Sequence, residues 1–326
     1  MEIVEHMTDE RYGELVEKLQ EKLGPEYTVE AAVVEKVNGN KDAITIKKHG
    51  ENVAPTLYPD NFMSQDQAAG VDELADVIFS KIQEVYDNMP EFNLNLTHES
   101  AEEHLYPQVI SAEANEEMLQ HVPHRMITDD LAVIARYRVG EDGSFVVKDG
   151  HLDAMEMTDE EVLETAISNL DVRKYDAKDI KDVMSEMMGA DSEMMGLFPP
   201  TRPEFYVLTN EEKINGAAAL ASDEILQQSM STIYRDYPNS HGFYVIPSSL
   251  HEVLLIPEEK VMTKEDEENL ENMLREVNQT QVAPEDVLSN NVYHYDGLTH
   301  DLTVVDPNAE TKVDEEELEM SMGRSH

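Results

Sequence analysis

Ser248, Ser249, His251 and Glu252 fall within five residues of one another. A serine hydrolase needs a hydroxyl within reach of an imidazole, and an acid that orients the imidazole. The residue types are present, so Ser249, His251 and Glu252 form a candidate catalytic set. The spacing argues against it, because side chains this close along one chain rarely reach that geometry. No Gly-x-Ser-x-Gly elbow occurs in the sequence. The competing reading is a turn whose serine hydroxyls bond backbone amides, with His251 in a satisfied, half-buried place.

A second set is His121, His124 and Asp129, with Asp130 beside it. Imidazoles and carboxylates together can hold a divalent metal. The histidines do not follow the His-Glu-x-x-His spacing of a zinc hydrolase. His98 and His104 flank Glu99, Glu102 and Glu103 without that spacing either. In a chain with 70 Asp and Glu, a histidine near an acid is expected by chance. Asp149–Glu160 has acids at the first, fifth and twelfth places of a calcium loop, but it lacks the glycine of the sixth place. It is rejected, no phosphate-cradling glycine loop occurs, and no cofactor is expected.

The chain has 326 residues, 40% of them hydrophobic, and a formal charge of −46. Such an excess of acid repels nucleic acid and anionic membranes, and favours solubility or a cationic protein partner. Cysteine is absent, so disulfides and thiolate metal sites are excluded. The acidic start MEIVEHMTDER is unlike a basic signal peptide, and no apolar run nears the about 18 residues that span a bilayer. A cytoplasmic protein is the expectation. The acid is unevenly spread: residues 61–130 carry 15 Asp and Glu against 2 Lys and Arg, and 258–326 carry 19 against 5. Residues 201–257 carry only 7 against 3, so the buried centre is expected there.

Within that neutral region two apolar runs, Phe243–Ile246 and Val253–Ile256, read as neighbouring buried strands on either side of the Ser248–Glu252 turn. Upstream, a helix is predicted over Thr8–Leu23, with Leu15, Val16 and Leu19 at helical spacing. A hairpin follows, Tyr27–Val37 with Ala43–Lys47, turning at Asn38-Gly39. Val71, Leu74, Ile78, Ile82 and Val85 mark the next helix. Strands are predicted at Tyr106–Ser111 and Leu131–Val139, a short helix at Ala114–His121, and a returning strand at Ser144–Val147. Thr158 and Glu161 form a capping box for a helix carrying Val162, Leu163 and Ala166. Phe205–Thr209 and Gly216–Leu220 read as a further strand pair. Ser222 caps a helix with Leu226, Met230, Ile233 and Tyr234 inward, and Thr263 caps another with Leu270, Met273 and Leu274. The sum is an α+β fold: antiparallel sheets from about four strand–strand–helix units, helices packed on one face. Residues 171–203 read as a charged, Met-rich helix and a Pro-bounded linker between an N-terminal domain, 1–170, and a C-terminal one, 204–308. Met184, Met187, Met188, Met194 and Met195 are adaptable apolar residues of the kind found on promiscuous surfaces. The acidic tail 309–326 reads as disordered.

Several segments resemble a family of Gram-positive gut bacteria known only as a domain of unknown function, DUF5688. They are Val37-Asn-Gly-Asn40, Pro55-Thr-Leu-Tyr58, Val122-Pro-His-Arg125 followed by Asp130-Leu-Ala-Val133, and Pro247-Ser-Ser-Leu-His-Glu-Val253. They come in the family's order and span most of the chain. Where the family has Asn-Asn-Gly at the first turn, this chain has Asn-Gly-Asn. The resemblance implies no activity, substrate or cofactor. The leading expectation is a non-enzymatic cytoplasmic binding or regulatory protein, its partner a protein. The alternatives are a hydrolase or metal enzyme at His251 or His121/His124, and a DNA mimic that occupies a DNA-binding protein.

Overall fold

The computed structural model describes residues 9–50, 54–62, 70–88, 96–140, 143–188, 202–247, 249–261 and 263–305. Ser248, Met194, Met195 and the acidic tail lie outside the described residues. The described residues form three antiparallel sheets of three, four and six strands, with helices packed on them.

The first unit matches its sequence pattern. α1 (Asp9–Leu23) ends where Gly24 takes φ 79°, which only glycine adopts freely. The hairpin of β1 (Tyr27–Lys36) and β2 (Gly39–Lys48) follows, then β3 (Thr56–Leu57) and α2 (Val71–Asn88). Leu15 and Leu19 of α1 and Leu74, Ile78 and Ile82 of α2 lie on Val29, Ile44 and Ile46. Two periodicities, helical and alternate, thus meet in one core; burying each such side chain contributes about 1.5–3 kcal/mol. Asn38 and Gly39 both take positive φ, 63° and 150°. The reversal sits one residue earlier than predicted, at Val37-Asn38, with Lys36 opposite Gly39.

In the four-stranded sheet β6 (Leu131–Val139) is central. β4 (Leu105–Ser111) pairs along one edge, and β5 (His124–Met126) and β7 (Gly143–Val146) share the other. Four helices accompany it: α3 (His98–His104), α4 (Glu116–Leu119), α5 (Asp149–Met155) and α6 (Asp159–Ser168). The Thr158 box is formed: Glu161 Oε2 accepts from the Thr158 amide at 2.8 Å, and the Glu161 amide donates to Thr158 Oγ1 at 3.3 Å. Val162, Leu163 and Ala166 then pack against Leu105, Ala135 and Tyr137. The rejected calcium loop is largely helix α5.

The six-stranded sheet runs β13-β12-β10-β11-β9-β8, comprising β8 (Tyr175–Asp179), β9 (Tyr206–Asn210), β10 (Gly242–Ile246), β11 (Val253–Pro257), β12 (Tyr293–Asp296) and β13 (Leu302–Val304). β10 and β11 are the neighbouring central strands predicted, with Val245 opposite Leu255. Every residue of β10 is buried. Phe243 and Val245 face the core of α8 (Asp223–Asp236), while Tyr244 and Ile246 face that of α9 (Lys264–Thr280). A continuous apolar strand needs cover on both sides, so here helices occupy both faces rather than one.

Three local expectations are corrected. Gly216–Leu220 is no strand but part of a 3-10 helix, 216–221. Its run of small side chains has none of the β-branched bulk that fills a pleated surface, and β9 pairs instead with β8 and β11. Residues 171–203 open with a short 3-10 turn and β8, before α7 (Ile180–Met188). In β8, Tyr175 and Ala177 are buried and alternate with charged residues, a period of two inside an apparently helical stretch. Tyr234 of α8 is 54% exposed, and Ile225 fills the inward position instead. The largest core cluster takes residues from both sides of 171–203, from Val109 to Tyr295. No described helix is long and apolar enough to cross a membrane.

Candidate functional site

The His251 turn is wired to the backbone. Ser249 Oγ accepts from the His251 amide at 2.9 Å, not from its ring. His251 Nδ1 accepts from the Asn215 amide at 3.3 Å. The proton of the neutral ring therefore sits on Nε2, which lies 3.5 Å from Asp286 Oδ1. The His251 carbonyl accepts from Thr209 Oγ1 at 2.7 Å. Glu252 is half-buried beside it and takes part in none of these bonds. Ser249, His251 and Glu252 are thus adjacent without forming a relay.

The second set is dispersed. His121 Nε2 lies 2.9 Å from Glu35 Oε2 of β1, and Lys148 Nζ donates to the same oxygen at 2.7 Å. Burial raises the Glu35 carboxyl, but the hydrogen bonds from Lys148 and His121 outweigh that and hold it below the ordinary value. His124 Nδ1 bonds the Val122 carbonyl at 2.9 Å, so that nitrogen carries the proton. Its side chain is exposed, as is that of Asp129. Among the described residues no three His, Asp, Glu or Cys side chains are placed to hold a metal ion.

The residue that gathers partners is Asp130, next to the one expected. It ends the turn before β6. Its Oδ1 accepts from Thr128 Oγ1 at 2.9 Å. Its Oδ2 accepts from Ser289 Oγ at 2.7 Å, Asn291 Nδ2 at 2.9 Å and Tyr293 OH at 2.7 Å. Burial raises this carboxyl, but hydrogen bonds from Tyr293, Ser289, Thr128 and Asn291 outweigh it and hold it below the usual carboxylate range. Burial and the neighbouring carboxylate push the Tyr293 phenol far up. The pattern repeats across the six-stranded sheet: Tyr206 donates to Asp236, Tyr244 to Glu267 and Tyr295 to Asp223, at 2.9, 2.8 and 2.7 Å. All three phenols are raised, first by burial and then by their carboxylates.

Asn38, in the first hairpin turn, reaches the same region. Its Nδ2 donates to the carbonyls of Glu285 and Val287 at 2.9 and 2.8 Å, and its amide donates to Asn115 Oδ1 at 2.7 Å. Asn115 Nδ2 returns a bond to Asn38 Oδ1 at 2.8 Å and a second to the Ser111 carbonyl at 2.7 Å. Between Asn38, Ser111, Glu113, Asp130 and the 284–291 loop lies a cleft of about 440 Å³.

The family model described as Family of unknown function (DUF5688) matches residues 10–297. The chain belongs to this family. No curated protein and no solved structure matches it. Two segments that carry the likeness to DUF5688 meet at the cleft: Asn38 stands in Val37–Asn40 and Asp130 begins Asp130–Val133. A third, Pro247–Val253, holds the loop from behind, because the Leu250 amide donates to the Asp286 carbonyl at 2.9 Å. The sequence reading missed Ser111, Asn115, Ser289, Asn291 and Tyr293. One signal was available: Ser289-Asn290-Asn291 is a polar run directly before the alternating strand Tyr293–Asp296.

Proposed function

We propose that this chain is a non-enzymatic binding protein, that the cleft between Asn38, Asp130 and the 284–291 loop is its ligand site, and that it works in the cytoplasm with a protein partner. The observation that carries this is the state of Asp130. A carboxylate that accepts four hydrogen bonds and is held below its ordinary range stays ionised, with its geometry spent on joining β6 to residues 289–293. A general acid or base needs the opposite, a group poised near the working pH with a proton to exchange. The hydroxyls and amides around it supply shape and polarity, as in a recognition cleft.

The DNA-mimic alternative draws no support from α2. Its outward acids Asp72 and Asp76 pair with Lys18 and Lys22 of α1, the second pair at 2.6 Å, so these two carboxylates do not belong to an open row of charge.

The proposal is tested by comparing the parent with His251→Gln and Ser249→Ala for hydrolysis of simple p-nitrophenyl esters, and by titrating small polar ligands against the labelled parent. The expected outcome is background hydrolysis within a few-fold in all three proteins, with ligand-induced shifts confined to signals of residues 111–114 and 289–291. A loss of about 100-fold or more in His251→Gln, the scale of a general base, overturns it.

A further inference from the structure

The side chains around the cleft have spent their hydrogen-bonding capacity unevenly. Glu113 lines it, is exposed, and accepts from no described residue. Asn291 uses its Nδ2 on Asp130, which leaves its carbonyl oxygen. Among the described residues Asp130 Oδ1 accepts only from Thr128 and keeps a second lone pair. Against these acceptors stand fewer side-chain donors: the Ser111 hydroxyl, the two N–H of Asn290 Nδ2 and the second N–H of Asn291 Nδ2. Among the described residues no Lys, Arg or His lines the cleft, while Pro284 and Val287 add an aliphatic wall. Surplus acceptors, unneutralised charge and an apolar flank together describe the complement of a cation on a hydrocarbon stem.

We propose that the cleft takes an arginine side chain from an exposed segment of a partner protein, the guanidinium against Glu113 and the Asn291 carbonyl, the methylenes along Pro284 and Val287. This rests on the reading of the cleft as a ligand site. Guanidinium fits better than ammonium: it offers five donors in one plane to acceptors arriving from two sides, and it is more weakly hydrated. The formal charge of −46 draws such a segment in from a distance; the cleft provides the specificity.

The test uses the full chain, isotope-labelled, at about 0.15 M salt, where the Debye length is about 8 Å and diffuse attraction is screened. The probes are the blocked tripeptide Gly-Arg-Gly and its citrulline counterpart, which keeps the shape and loses the charge. The arginine peptide is expected to shift the amide signals of residues 111–114 and 289–291. The citrulline peptide, and the arginine peptide on Glu113→Gln, are expected to bind about ten-fold more weakly, the loss of one charge-assisted pair. Glu103→Gln, an equal charge change on α3, leaves binding unaltered. Glu113 lies outside the Asp130 network, so its variant folds as the parent does. Equal binding of both peptides at these signals overturns the arginine inference and leaves the ligand site standing. Shifts scattered over the surface and insensitive to Glu113→Gln also overturn it. If neither peptide nor any other small polar ligand moves these signals, the ligand-site reading fails with it.

Discussion

Asp130 converts one side chain into four long-range or turn-closing bonds, and its substitution separates charge from shape. Asp130→Asn keeps the size but replaces a carboxylate oxygen by a donor facing the donors of Ser289, Asn291 and Tyr293. Hydrogen bonds to a charged group contribute about 1.5–3 kcal/mol each. Since the region can relax, the expected loss in unfolding free energy is about 2–4 kcal/mol, measured by urea denaturation at pH 7. The pH dependence has a definite sign. The Asp130 carboxyl is depressed in the folded chain, so its contribution is present above the unfolded value of about 3.9 and is lost as pH falls towards the folded one. The parent should therefore lose stability below about pH 4 more steeply than Asp130→Asn. At this scale the sequence was informative about type and vague about address. The Asp129-Asp130 pair marked the place, yet only the structure shows that the first is exposed and the second carries the bonds. Three of the four partners of Asp130 stand about 160 positions further on, beyond the reach of any local pattern.

Elements were legible wherever a period repeated long enough. The helix carrying Leu74, Ile78 and Ile82, the strand Leu131–Val139 and the pair β10–β11 all stand where their patterns put them. Where a segment is short or uniform, tertiary contacts decide. Gly216–Leu220 shows no period at all, and its 3-10 path follows from Asn215 at φ 53° and from the tight approach of Gly216 to its neighbours. A Cβ on Gly216 would lie 2.1 Å from the His251 carbonyl oxygen and 2.4 Å from Thr209 Oγ1. Gly216→Ala is therefore expected to cost about 2 kcal/mol or more, the scale of overpacking against backbone. Gly150→Ala, in α5, meets nothing within 4 Å and should be neutral or slightly stabilising. Thermal melting of the two variants side by side gives the comparison; equal melting temperatures would contradict it. β8 was lost to the sequence reading for the complementary reason: its polar partners are charged, and charge hid a period of two.

Across the whole molecule, one core cluster runs from Val109 and Ile134 of the four-stranded sheet to Val245 and Tyr293 of the six-stranded one. Ile134→Ala should lower the unfolding free energy by about 2–4 kcal/mol, as for other buried truncations. Because the cluster is shared, the loss should also appear in hydrogen exchange of the β10 amides, more than a hundred residues away in sequence. Exchange there that stays at the parent rate would show two independently stable units divided near 171–203. The bonds that close the cleft have a further consequence for a chain made one residue at a time. Asp130 lies 163 positions before Tyr293, and Asn38 lies 249 before Val287. At about 5–20 residues per second, the ribosome needs roughly 8–30 seconds between adding Asp130 and adding its tyrosine. Through that interval the start of β6 exists without three of the four residues that bond its carboxylate. The cleft is therefore among the last features a newborn chain completes, and a nascent chain halted before residue 285 presents Asp130 without its distant donors and Asn38 without the carbonyls of the loop.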